Sequence, residues 1–221
     1  DISTKKRLMY LSGEDFYLLQ KLVKNGYLGK WIDTIAYPAS RFSDRVLFGT
    51  GPALIKGAKS DWDSYPIYRS ASFDLVKETY NLFPDLFEKD IYTPMTGFLK
   101  KQLKTDKLWR PLRKNYKDRK NFIKACVNKV DGLRILQFLK YQKNNSEPIQ
   151  DEYVLKEFMQ TYFAAEMDSG LQQIIDKLSF NASAIEELDA LRRFLHLQEW
   201  NSRKTLEKAQ LITFFDTQWN I

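Results

Sequence analysis

The sequence predicts a mainly α-helical, bundle-like protein. Three observations carry that expectation. Apolar residues recur at three- and four-residue spacing through most of the chain, capping residues precede those runs, and turn-forming Gly and Pro gather chiefly in one stretch. Taken in order, Ser12 is expected to cap a helix to about Lys24, with Asp15 at its third position and Gly26 as its stop. Phe16, Leu19, Leu22 and Val23 share one face of it. A short helix around 28–36 carries Trp31, Ile32 and Ile35 and stops at Pro38.

Residues 38–70 hold Pro38, Gly49, Gly51, Pro52, Gly57 and Pro66, with short β-type runs at Arg45–Phe48 and Tyr65–Arg69. An irregular region or a short β-hairpin is expected there. Ser72 then begins a helix to about Phe83, with Phe73, Val76, Tyr80 and Phe83 turned inward and Pro84 closing it. Asp118 is expected to cap one helix to about Tyr141, along which Ile123, Val127, Val130, Leu133 and Leu136 keep helical spacing. Gly132 weakens that helix only slightly.

The stretch Asn144–Pro148, "NNSEP", is the best candidate boundary. It divides an N-terminal helical region, 1–145, from a C-terminal helical bundle, 146–221, with one continuous domain as the alternative. Four helices are expected beyond it, over about 149–167, 171–178, 184–200 and 203–215. The third opens with a capping box from Ser183 and Glu186, and the fourth is capped by Ser202. Short links between them imply antiparallel neighbours.

Composition narrows the function classes. A chain of 221 residues, 43% hydrophobic and 29% charged, can bury a sizeable core without disulfides or metals. One cysteine, Cys126, and one histidine, His196, exclude zinc sites built on several such ligands and argue against haem and iron–sulfur centres. The single cysteine fits a reducing, intracellular setting, cytoplasmic or nuclear. No apolar run approaches the roughly 20 residues that span a bilayer, so a membrane is not an expected partner. Residues 1–16 have only a short apolar patch and do not read as a signal peptide. A start at Asp1 rather than Met fits a piece cut from a longer chain.

The charge is not spread evenly. Residues 1–99 carry 13 Lys or Arg against 12 Asp or Glu, residues 100–129 carry 12 against 2, and residues 130–221 carry 10 against 14. The one segment 100–129 thus carries an excess of +10, more than the whole net charge of +7, and the stretch Leu99–Lys124 that spans most of it reads "LKKQLKTDKLWRPLRKNYKDRKNFIK". Crowded cations repel one another, and a bound polyanion offsets that repulsion. The candidate contacts are Lys100, Lys101, Lys104, Lys107, Arg110, Arg113, Lys114, Lys117, Arg119 and Lys120, with Trp109 and Tyr116 as rings on which unpaired bases could stack. Two other readings compete. The run is a solvated helix face whose aromatics anchor it to the core, or it lies on an anionic membrane surface. Pro111 argues against one long amphipathic helix here.

Phe48-Gly49-Thr50, followed by Asp61-Trp62-Asp63, resembles the nucleotidyltransferases in outline. That resemblance implies a turn that binds triphosphate, and a strand that aims Asp61 and Asp63 to one side to hold magnesium. The match departs from the family's pattern. Thr50 stands where Ser is usual, Ser64 and Pro66 weaken the strand, and a third carboxylate is not assignable beyond a guess at Asp74. Gly49-Thr50-Gly51 by itself reads as a turn needing positive φ. His196 reads as an ordinary helix residue and Cys126 as a small core residue.

The sequence thus points to a non-enzymatic nucleic-acid-binding protein, for RNA or DNA, that needs no cofactor and no metal. The C-terminal helices would complete the core or meet a protein partner. Two alternatives stand beside it: an interaction or assembly module whose basic segment meets an acidic protein, and a magnesium-dependent enzyme using Asp61 and Asp63.

Overall fold

A computed structural model describes residues 18, 19, 21, 22, 24, 41–44, 50–59, 61 and 66–218, of which Thr50 and 206–218 enter as backbone. The described residues form nine α-helices and one 3₁₀ turn, and no strand. The chain divides into two compact units, Asp1–Ile149 and Gln150–Ile221.

In the first unit, α1 spans Thr50–Gly57. It occupies the stretch expected to be irregular or hairpin-like. The expected hairpin is corrected on that point, and residues 66–69 are irregular chain rather than strand. Residues 45–48 and Tyr65 lie outside the described residues, as do most of the helices expected over 12–24 and 28–36, although Leu18, Leu19, Lys21, Leu22 and Lys24 are helical. Gly51 has no positive φ. It is needed because a Cβ there would stand 2.4 Å from the Ser43 carbonyl oxygen.

Helix α2, Ser70–Asn81, starts two residues before the expected Ser72, after an extended Arg69. Its buried positions are Val76 and Thr79, with Phe83 buried just past its end, so Phe73 falls on the flank and is 49% exposed rather than turned inward. The polar Thr79 hid that side from a count of apolar residues. Its hydroxyl donates to the Leu75 carbonyl at 3.0 Å and accepts from the Met95 amide at 3.3 Å, so its burial leaves nothing unsatisfied. Pro84 opens the 3₁₀ turn Asp85–Phe87.

Helix α3, Thr96–Leu103, ends at Lys104, whose left-handed φ of 50° closes it where glycine is usual. Helix α4, Arg110–Asn115, has Pro111 in its first turn, so the proline starts a helix rather than interrupting one. Helix α5, Arg119–Lys129, is capped by Asp118, whose carboxylate accepts from the Asn121 amide at 2.8 Å. That bond, with a second donated by the Asn121 side-chain amide at 2.9 Å, holds the Asp118 carboxyl below the usual carboxylate range.

The single helix expected over 118–141 is two. Helix α6, Gly132–Asn145, begins afresh with Asp131, which accepts from the Arg134 amide at 3.1 Å. The break is held by tertiary bonds: the Tyr80 hydroxyl donates to the Val130 carbonyl, and Lys24 pairs with Asp131. The core beneath these helices is built from Phe83, Leu86, Met95, Leu99, Phe122 and Phe138, among others.

In the second unit, α7 spans Asp151–Phe163, α8 Ser169–Asp176 and α9 Ile185–Gln218. Asp168 caps α8 by accepting from the Leu171 amide at 2.7 Å. Helix α8 packs on α7 and on α9, around Met159, Leu171, Ile175 and Leu191. The Phe163 ring meets Phe158 and Phe194 edge-on, at 5.6 and 5.7 Å.

The two helices expected over 184–200 and 203–215 are one, because neither Gly nor Pro interrupts 185–218. Ser202 lies inside it, not at a cap. The expected capping box is displaced by one residue: the Glu187 carboxylate accepts from the Ala184 amide at 3.0 Å, while the Ser183 hydroxyl serves the Ser179 amide.

Candidate nucleic-acid interface

The segment 100–129 is three helix pieces with one side sunk in the core. Leu108, Trp109, Phe122 and Cys126 are buried, with the Trp109 and Phe122 rings packed against Phe83 and Phe87 at 5.8 and 5.4 Å. Trp109 is 2% exposed, so it is an anchor, and its expected role as a stacking ring is corrected. Tyr116, 40% exposed, keeps a ring face in solvent.

Burial of the apolar side leaves the cations outward. Lys101, Lys104 and Lys107 are exposed, as are Arg110, Lys114, Lys117, Arg119 and Lys120. Among the described residues of this unit, none of these eight makes an ion pair. The segment holds only two carboxylates of its own. Asp106 lies 3.6 Å from Lys100, an exposed contact worth little. Asp118 is engaged by Asn121 at the start of α5.

Arg113 is the exception. Its guanidinium donates to the Leu86 carbonyl at 2.6 Å and to Asp90 at 2.7 Å. It is a strut between α4 and the loop after the 3₁₀ turn, not a cation open to an outside anion. Its expected contact role is corrected, because two acceptors at good distance hold it at home. Farther along, burial lowers the Lys129 ammonium below its ordinary value. Burial also pushes the Cys126 thiol up to about 12, against the opposing charges of Lys129 and Arg113. That thiol is inert core. His196 is exposed on α9.

The catalytic candidates are placed differently. Asp61 lies in irregular chain past α1, 3.8 Å from Lys56, and no strand runs through it. Asp63 lies outside the described residues, and Asp74 is exposed on α2. Among the described residues, no three His, Cys, Asp or Glu side chains gather as a metal site would require, and no helix is long and apolar enough to cross a membrane.

One ring near the segment escapes sequence reasoning. Tyr92, in the loop between the 3₁₀ turn and α3, is 75% exposed. It stands outside the cationic run, and its only local signal is the short "DIYTP" between two helical patterns. Comparison with protein-family models, with curated proteins and with solved structures finds no match to this chain.

Proposed function

We propose that the outward side of residues 100–124 captures nucleic acid through its phosphates, without catalysis. One observation supports this above the others: nine exposed cations, the eight above and Lys124, that make no ion pair among the described residues of their unit, in a stretch with two acids. A solvated face of ordinary composition intersperses both signs and neutralises itself. Here the repulsion among like charges is left to an external anion. Binding is electrostatic, so condensed counterions are released as phosphates are met.

The experiment is fluorescence anisotropy of a labelled oligonucleotide across a salt series. If about five cations meet phosphates, log affinity falls with log salt at a slope of about −3.5 on a single strand and about −4.5 on a duplex. Affinity that does not change with salt contradicts the reading.

A further inference from the structure

We propose that Tyr92 is a base-stacking platform beside the cation row, and that the nucleic acid held there is single-stranded. The inference rests on the phosphate-capture reading above and adds to it the kind of strand recognised. Tyr92 presents its ring to solvent, and among the described residues it has no hydrogen bond and no ring contact. A folded chain gains nothing from that exposure, since a tyrosine ring is a large apolar surface.

Two contacts place the ring. A Cβ at Gly97 would meet the Tyr92 hydroxyl at 3.2 Å, so the phenol end lies against the side of α3 that Gly97 leaves bare. Lys101 follows one turn later on that same side, exposed and without an ion pair among the described residues. Helical side chains lean toward the N-terminus, which directs Lys101 back toward the phenol. On the other flank, the bonds of Arg113 to Leu86 and Asp90 tie α4 to the loop two residues before Tyr92. The loop that carries the ring is thus tied to α4 through Arg113 and lies against α3 at Gly97, one turn before Lys101. Arg113 acts here as a positioning residue.

A ring in this place discriminates strands. In a duplex the base faces are covered by their neighbours, and only phosphates face a protein surface of this kind. An unpaired base offers a face to an aromatic ring while its phosphates remain within reach of lysines. Tyr116 carries a second half-exposed ring at the far end of α4.

The test measures binding of oligo(dT) of about 20 nucleotides, a duplex of equal length and heparin to the full chain and to its Tyr92→Ala and Tyr92→Phe variants, with circular dichroism as a check on folding. Tyr92→Ala is expected to weaken oligo(dT) binding about tenfold, the scale of losing one stacked base, and to leave duplex and heparin binding unchanged. Tyr92→Phe keeps the ring and is expected to bind as the parent does. An unchanged affinity of Tyr92→Ala for oligo(dT), or an equal loss on all three ligands, overturns the stacking role while leaving phosphate capture in place. Failure of the parent protein to bind any of the three removes both proposals.

Discussion

Along α9, the cations with described side chains find partners on their own helix. Arg192 and Arg193 both reach Asp189, at 3.0 and 3.8 Å, Arg203 reaches Glu199, and Lys204 lies over the Trp200 ring at 5.3 Å. Each arginine stands three or four residues after its acid, the spacing at which helix neighbours meet. Neither α4 nor α5 contains an acid. Asp106 and Asp118 stand four residues from Arg110 and Lys114 but outside α4, where Asp106 meets Lys100 and Asp118 meets Asn121, and Lys117, Lys120 and Lys124 have no acid three or four positions away. The same residue types therefore give a self-neutralised helix in one unit and an open cationic surface in the other. The difference lies in where the acids fall, and not in how many cations there are.

That comparison can be broken at several points. The largest effect is expected beneath the cationic surface. Trp109→Ala should cost the first unit about 3–5 kcal/mol, because a large ring leaves a filled core. Tyr116→Ala should stay within about 0.5 kcal/mol, as an exposed ring does. Urea unfolding of the two variants separates anchor from platform, and a small loss for Trp109→Ala would place that ring outside the core.

A smaller effect is expected at the end of α3. Lys104→Gly relieves a left-handed lysine and should stabilise the fold by up to about 1 kcal/mol. It should also make the single-strand salt slope shallower by about 0.7, the share of one phosphate. A thermal melt and a salt series on one variant thus move stability and binding in opposite directions. The smallest effect is expected on α9. Asp189→Asn releases two arginines whose exposed pairs add little, so stability should fall by about 0.5 kcal/mol or less, and less again at high salt.

The helical class was legible because apolar spacing persists through both units, and the Asp118 cap was legible because a carboxylate before an amphipathic run has one good use. The expected hairpin failed because Gly and Pro were counted as turn signals. Gly51 instead permits a close chain approach, and Pro52 sits in the first turn of α1. The break at Val130 was hidden because it depends on Tyr80 and Lys24, partners 50 and 107 residues away. Continuity of α9 was hidden by Ser202, which reads as a cap but lies mid-helix. At the interface, the outward lysines were legible from composition. Trp109 and Arg113 were not, since a ring or a cation in such a run serves the core or the solvent depending on what lies across from it. Only the fold supplies Phe83, Leu86 and Asp90. Tyr92 was missed because only the fold lays its phenol end against the bare side of Gly97 on α3.

The central claim is that the charges of the middle segment, and not those of α9, meet the phosphates. It is tested most directly by two triple variants measured on one labelled single strand. Lys114→Gln, Lys117→Gln and Lys120→Gln together should make the salt slope shallower by about 2. Arg192→Gln, Arg193→Gln and Arg203→Gln together should leave it where it was. Equal slopes from the two variants, or a larger change from the α9 set, would contradict the account.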